Sequence, residues 1–278
     1  MHDLQRREWA ASAGHQPDPA RPGSGIAGSA GCVAAGAAGV AAAGLYDAFV
    51  IAGWAGSRLN PADAFVSELE VPGQPASGGF RAVDLASGVL IVILAVVVNR
   101  HLRHGPAATV GSMWLAVLGG ASVADAWYPM PCAPSVDPTC RRRLDEVGLL
   151  AQLHQRHTLS STLGVLAGVV AMWLLTPSSG GRPVSWLSQP WRLGAVVLAV
   201  VATLEVPLIY AGHGAGALER VHVLLISAWL AALSIRLIRH GLRLAGMAKP
   251  TTSPSPTGPR SGRWPARQGP PPAGTRAG

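Results

Sequence analysis

Six stretches of about 20 mostly apolar residues, separated by short polar connections, constrain this chain more than any other feature. They run Ala27–Trp54, Ala82–Val98, Ala107–Trp127, His157–Leu175, Leu193–Ala211 and Val221–Ile238. A helix of that length crosses a hydrocarbon core of about 30 Å, whereas a lone strand would leave its backbone N–H and C=O groups unpaired in lipid. The second window is short but holds the densest run, Val89–Val98, with no charge in it. The expected fold is all-α: a polytopic membrane helical bundle of about six transmembrane helices over residues 27–245, partnered by the lipid bilayer. Residues 1–26 and 246–278 are rich in Pro, Gly, Ser or Arg and carry too little apolar surface for a core, so both read as disordered cytoplasmic tails. No apolar segment near the start has the form of a cleavable signal, and the first span is expected to serve as an uncleaved anchor.

Charge supports the same class. Charged residues make up 13% of the chain, against about 25% in a soluble domain, and they fall between the apolar windows. The net charge of +8 would suggest nucleic acid in a soluble protein. Here the basic residues sit in tails and short connections, with no basic stripe interleaved with aromatics, so nucleic acid is excluded as a partner.

Orientation follows from the arginines near span ends. With the N-terminus inside, Arg6, Arg7, Arg21, Arg100, Arg103, Arg182, Arg192, Arg236, Arg239, Arg243 and Lys249 are cytoplasmic, while Arg58, Arg81, Arg141, Arg142, Arg143, Arg156 and Arg220 are outside. That bias predicts a plasma-membrane protein with both termini in the cytoplasm. Trp54 and Trp127 then mark outer boundaries, and Trp173, Trp186 and Trp191 inner ones. In the first span Gly28, Cys32, Gly36, Gly39 and Ala43 recur at helical spacing, which predicts a close packing face with Cys32 as a small packing residue. No internal repeat is visible.

Cys132 and Cys140 lie in one Pro-rich outer loop, and on an oxidising face two such neighbours pair as a disulfide. Ionisable residues within spans are costly and face a protein interior or a water-filled cavity. They cluster on the outer side. Asp84, Asp125 and Glu219 are explained by the interface or by helix termini. Asp47, in the outer third of the first span, and Glu205, in the fifth beside Pro207, are candidates for chemistry or proton transfer.

His154 and His157, three apart, predict one helical face continued inward by Ser161, Gly164 and Gly168. His157 is a candidate general base, and His154, His157, His213 and Glu219 are candidate ligands for a divalent metal. Ser67, Ser160 and Ser161 are possible nucleophiles without a recognised motif around them.

Several outer-side segments resemble the domain-of-unknown-function 998 family of bacterial and archaeal membrane proteins. They are Ser67-Glu68-Leu69, Cys132-Ala-Pro through Cys140, His154-x-x-His157 and Gly216-Ala-Leu-Glu219-Arg220. The chain departs from the family pattern at Glu70, where a glycine is usual. The resemblance covers roughly residues 27–240 and implies about six spans with the matching residues at their outer ends; it brings no activity. Three functional readings are open. The first is a structural or envelope-associated component whose polar cluster locks the helices. The second is an outer-leaflet lipid or envelope hydrolase, metal-dependent in one version. The third is a small-solute or proton-coupled transporter using Asp47 and Glu205.

Overall fold

The computed structural model describes residues 24–101, 105–175 and 190–247. Most of both expected tails, with Arg6, Arg7, Arg21 and Lys249, lies outside the described residues, as do Arg103, Arg182 and Trp186. Helices α1 (Ser24–Tyr46), α2 (Ser77–His101), α3 (Pro106–Trp127), α5 (Arg156–Leu174), α6 (Pro190–Ala211) and α7 (Ala215–Met247) are long and apolar enough to cross a membrane. A shorter amphipathic helix, α4 (Pro138–Val147), lies in the connection between α3 and α5. The chain is a multi-pass membrane protein. Because the spans alternate in direction, Ser24 and Met247 share one end, the tail end. The long connections share the other, the loop end.

The core runs along the bundle axis and is built from small and branched side chains, among them Cys32, Ala42, Ile91, Leu94, Leu115, Leu118, Ala167, Leu198, Ile226 and Leu230. Lipid already surrounds a helix with apolar atoms, so association depends on close packing of backbones. Two contacts show it. A Cβ on Gly88 of α2 would lie 2.6 Å from the Gly119 carbonyl of α3, and the reciprocal distance is the same. The small-residue face of α1 packs on α7, where a Cβ on Gly36 would lie 2.8 Å from the Ser234 carbonyl. That face was legible in sequence, and Cys32 is fully buried in it. Helix α6 is the least enclosed span, with Leu193, Val200, Leu204 and Tyr210 exposed on its outer face.

The second and sixth spans are longer at both ends than their windows, Ser77–His101 and Ala215–Met247, and two further boundaries move candidate residues. The first span ends at Tyr46, not Trp54: Asp47 opens a 3-10 turn, Ala48–Ile51, and the chain reverses through Gly56 at φ +86°. Trp54 is 91% exposed beyond the span. Asp47 therefore sits at the mouth of the bundle rather than within the helix. The fourth span begins at Arg156, after Gln155 in an extended conformation. His154 belongs to the preceding turn, its N–H bonded to the Ala151 carbonyl, so His154 and His157 do not share a helical face.

Candidate functional site

At the loop end the spans part around a half-enclosed cavity of about 90 Å³. Its wall takes Tyr46 from α1, Asp84 from α2, Ser122 and Asp125 from α3, His157, Ser161 and Gly164 from α5, and Glu219 and His222 from α7. The 3-10 turn Val66–Glu70 folds over it and supplies Val66, Ser67 and Glu70. Deeper in, the buried side chains are mostly apolar or small, among them Ala42, Ile91, Leu118, Ala167 and Ile226, with the Ser87 hydroxyl bonded to the Ala42 carbonyl. The cavity has a polar wall above a largely apolar core.

Asp125 is the hub of the α3–α5 side. Its Oδ1 lies 3.3 Å from His157 Nδ1, and its Oδ2 accepts a hydrogen bond from Ser161 Oγ at 3.0 Å. Ser160 Oγ also donates to Asp125. Ser161 Oγ stands 3.5 Å from His157 Nε2, one turn along the same helix. Carboxylate, imidazole and hydroxyl thus meet in one compact group. His157 Nδ1 is buried without an aligned hydrogen bond, so its contact with Asp125 is one of proximity.

On the covering turn, Glu70 is 8% exposed and its Oε2 has no hydrogen-bond partner. Burial pushes the Glu70 carboxyl up to about 7, the nearby Asp125 charge adds to the rise, and the Arg81 guanidinium opposes it. Behind the α7 wall, His222 Nδ1 lies 3.2 Å from Glu205 of α6. Glu219 accepts from the Val66 N–H, which ties α7 to the covering turn. Asp47 Oδ1 accepts from Ser227 Oγ at 2.8 Å. Burial raises the Asp47 carboxyl above its ordinary range, and the Ser227 bond opposes the rise.

A second set of polar groups holds the loops. Glu68, with no exposed surface, accepts from the Phe65 N–H at 3.0 Å and from the Ser135 N–H at 3.1 Å. Its Oε2 also takes the Ser135 hydroxyl. Arg220 Nη1 donates to the Ala64 and Gly216 carbonyls at 2.6 and 2.9 Å. Asp63 accepts from the Gly214 N–H at 2.9 Å. Cys132 and Cys140 are disulfide-bonded, with Cα atoms 6.1 Å apart, as their loop position predicts. Between this loop and the end of α6 lies a shallower cleft of about 530 Å³, lined by Asp63, Arg141, Asp145 and Tyr210 among others.

The residues singled out in sequence separate in space. His157 and Glu219 line the cavity. Glu205 reaches it through His222, and Asp47 stands beside it on Ser227. His154 and His213 are exposed, His213 Nδ1 lying 3.0 Å from the Ala211 carbonyl. The set His154, His157, His213 and Glu219 is not gathered, and among the described residues no three His, Cys, Asp or Glu side chains are placed to hold a metal ion. Asp84, Asp125 and Glu219, assigned to the interface from their depth, stand on the cavity wall. Tyr46 was not singled out, and Glu70 only as a departure from the family pattern. Their signal was positional: Tyr46 closes an apolar span, and Glu70 lies between the apolar Leu69 and Val71.

The model of the family described as "Protein of unknown function (DUF998)" matches residues 37–236, so the chain belongs to that family. The match runs from α1 to α7 and includes every residue of the cavity wall. No curated protein and no solved structure matches the chain.

Proposed function

We propose that this family member is a membrane-embedded hydrolase cleaving an ester or amide of a lipid or envelope intermediate at the outer leaflet. Ser161 is the nucleophile, His157 its base and Asp125 the group that orients the imidazole. One observation carries this reading: His157 stands between Asp125 Oδ1 at 3.3 Å and Ser161 Oγ at 3.5 Å on the wall of a polar cavity. At rest the Ser161 hydroxyl donates to Asp125; a rotation about its C–O bond turns it toward His157 Nε2. Catalytic hydrogen bonds are commonly this loose before substrate binds.

The Ser161 proton passes to Nε2 as Oγ bonds to the acyl carbon, and the leaving group departs with that proton. A water then bonds to the acyl carbon while giving a proton to His157, which returns it to Oγ as the acid leaves. The cavity is roomy enough for several waters.

The structural reading is supported for a different set of groups. Glu68, Asp63 and Arg220 bind the loops to one another and to the helices with their partners satisfied. A cluster serving only to lock helices would not leave Glu70 Oε2 buried and unpartnered on a cavity. Transport gains no support from the largely apolar core that packs beneath the wall. A metal-dependent version gains none from the exposed His154 and His213.

In this reading the loop end faces outward, the termini are cytoplasmic and the membrane is the plasma membrane. The arginine bias and the disulfide on the loop end support that placement. A tag in the loop 132–140 that is reached only after cells are permeabilised would reverse it.

The chemistry is tested by treating detergent-purified protein with a fluorophosphonate probe and mapping adducts by mass spectrometry. An adduct is expected on Ser161, absent in Ser161→Ala and reduced at least tenfold in His157→Ala. Folded protein that forms no adduct at Ser161 refutes the assignment.

A further inference from the structure

Four carboxylates line the cavity: Glu70, Asp84, Asp125 and Glu219. No lysine or arginine lines it among the described residues, and the nearest guanidinium groups are engaged elsewhere. Arg81 Nε donates to the Ala126 carbonyl at 2.9 Å, and Arg220 is held by the Ala64 and Gly216 carbonyls. Asp125 is occupied by two serine hydroxyls and His157, and Glu219 takes the Val66 N–H. Glu70 is different. It is more than nine-tenths buried, its Oε2 has no hydrogen-bond partner, and it lines the same space as Asp84. A buried acceptor without a donor is unfavourable by about 1–3 kcal/mol, so such a group implies a donor that arrives from outside the chain.

We propose that the Glu70–Asp84 side of the cavity binds a primary ammonium group, the recognition element of the substrate that Ser161 attacks. An ammonium brings three N–H donors and the positive charge that the wall lacks. Its size suits a cavity of about 90 Å³. A quaternary ammonium has no N–H to give Glu70 and is recognised by cages of several aromatic rings. Among the described residues Tyr46 is the one Phe, Tyr or Trp side chain on the wall. A metal ion is disfavoured by donor placement, since no three ligating side chains converge among the described residues. Glu70 and Ser161 line the same cavity, so a substrate held at its amine would have its reacting group within the space that the nucleophile lines. This inference rests on the hydrolase reading only for the word substrate; binding itself needs no turnover.

The test is thermal unfolding of the full chain in detergent, with ethanolamine hydrochloride at 1–50 mM (roughly the range of a weak single-site contact). Tetramethylammonium chloride, sodium chloride and magnesium chloride at matched ionic strength are the controls. A saturable rise in melting temperature with ethanolamine alone is expected in wild type and in Ser161→Ala, and is expected to be lost in Glu70→Gln. If Glu70→Gln fails to fold, Asp84→Asn serves, with at least a fivefold weaker midpoint expected.

The same measurement in nanodiscs compares phosphatidylethanolamine with phosphatidylcholine. A shift with the aminolipid assigns the ammonium to a lipid headgroup, and a shift with free ethanolamine alone assigns it to a soluble amine. Equal shifts with tetramethylammonium or sodium, a shift with magnesium only, no shift with either amine source, or a shift retained in the carboxamide variant each overturn the proposal. The fluorophosphonate assay separates the two readings: an ethanolamine shift without an adduct in wild type keeps the site and removes the nucleophile. An adduct without a shift does the reverse.

Discussion

Replacing Glu68 by Gln tests whether the loops are held by one buried carboxylate. The side chain is fully enclosed, and its two oxygens accept the Phe65 N–H, the Ser135 N–H and the Ser135 hydroxyl. Glutamine matches the shape but keeps only one acceptor oxygen. With that oxygen on Phe65, the amide NH2 faces the Ser135 N–H, donor against donor, although the Ser135 hydroxyl can turn to accept. Hydrogen bonds to a charged group contribute about 1.5–3 kcal/mol each. Loss of one such bond, weakening of another and an orphaned N–H sum to about 3 kcal/mol, which is roughly a 100-fold increase in local opening. Amide hydrogen exchange of the full chain in detergent reads this directly. Peptides covering residues 132–140 are expected to exchange about 100-fold faster in Glu68→Gln, while peptides from α2 and α3 stay unchanged. Ser135→Ala, which removes only the hydroxyl, is expected to give about a tenfold change. If the 132–140 peptides of Glu68→Gln exchange within threefold of wild type, the carboxylate does not hold the loop.

Glu70, two residues on, gives the opposite pH signature from a stabilising ion pair. Burial, with the Asp125 charge adding and Arg81 opposing, raises its folded carboxyl from 4.5 to about 7, so the folded state holds a proton that the unfolded state releases. Stability without ligand is therefore expected to fall as pH rises from about 4.5 to 7, and Glu70→Gln should flatten that slope in a melting-temperature series. Cutting the Cys132–Cys140 bridge with paired serines opens a loop of sequence separation 8, expected to destabilise by about 2–3 kcal/mol, seen as a lower melting temperature that reductant no longer affects. Gly88→Leu forces α2 from α3 where a Cβ would already meet the Gly119 carbonyl at 2.6 Å. A loss of about 3 kcal/mol or failure to fold is expected, with Gly120→Leu, on an open face, as the harmless control.

The spans were legible because a bilayer imposes length and apolarity on each helix separately, so every window could be read without knowing its neighbours. The face of α1 was legible for a similar reason: helical spacing of Gly36 and Gly39 needs no partner to be visible, although α7 as that partner was not. The cavity was harder. Asp84, Asp125 and Glu219 lie within three turns of their helix ends, and depth alone placed them in the interface. What encloses them is the connection after α1, which folds back so that Val66–Glu70 covers the bundle mouth. That is a long-range event. Its determinants, the Glu68–Ser135 bonds and the Val66–Glu219 bond, join residues 67 and 153 positions apart. The shift of His154 off the helix was likewise hidden, since a spacing of three implies one face only if both residues are helical.

Within that covering turn, local geometry sorts two acidic residues into different roles. A 3-10 helix advances about 120° per residue, so side chains two apart point in directions about 120° from one another. Glu68 turns toward the disulfide loop, where each of its oxygens finds a donor. Glu70 turns toward the bundle, where Asp84 and Asp125 offer only further acceptors. In an α-helix the separation would be about 160°, and in a strand the two would share one face. A 3-10 turn lets one short segment both fasten the loops and present a carboxylate to the cavity. The two functions are separable by mutation for that reason: Glu68→Gln should loosen the cover and leave the ammonium site's charge in place, whereas Glu70→Gln should remove the charge under a cover that still exchanges slowly.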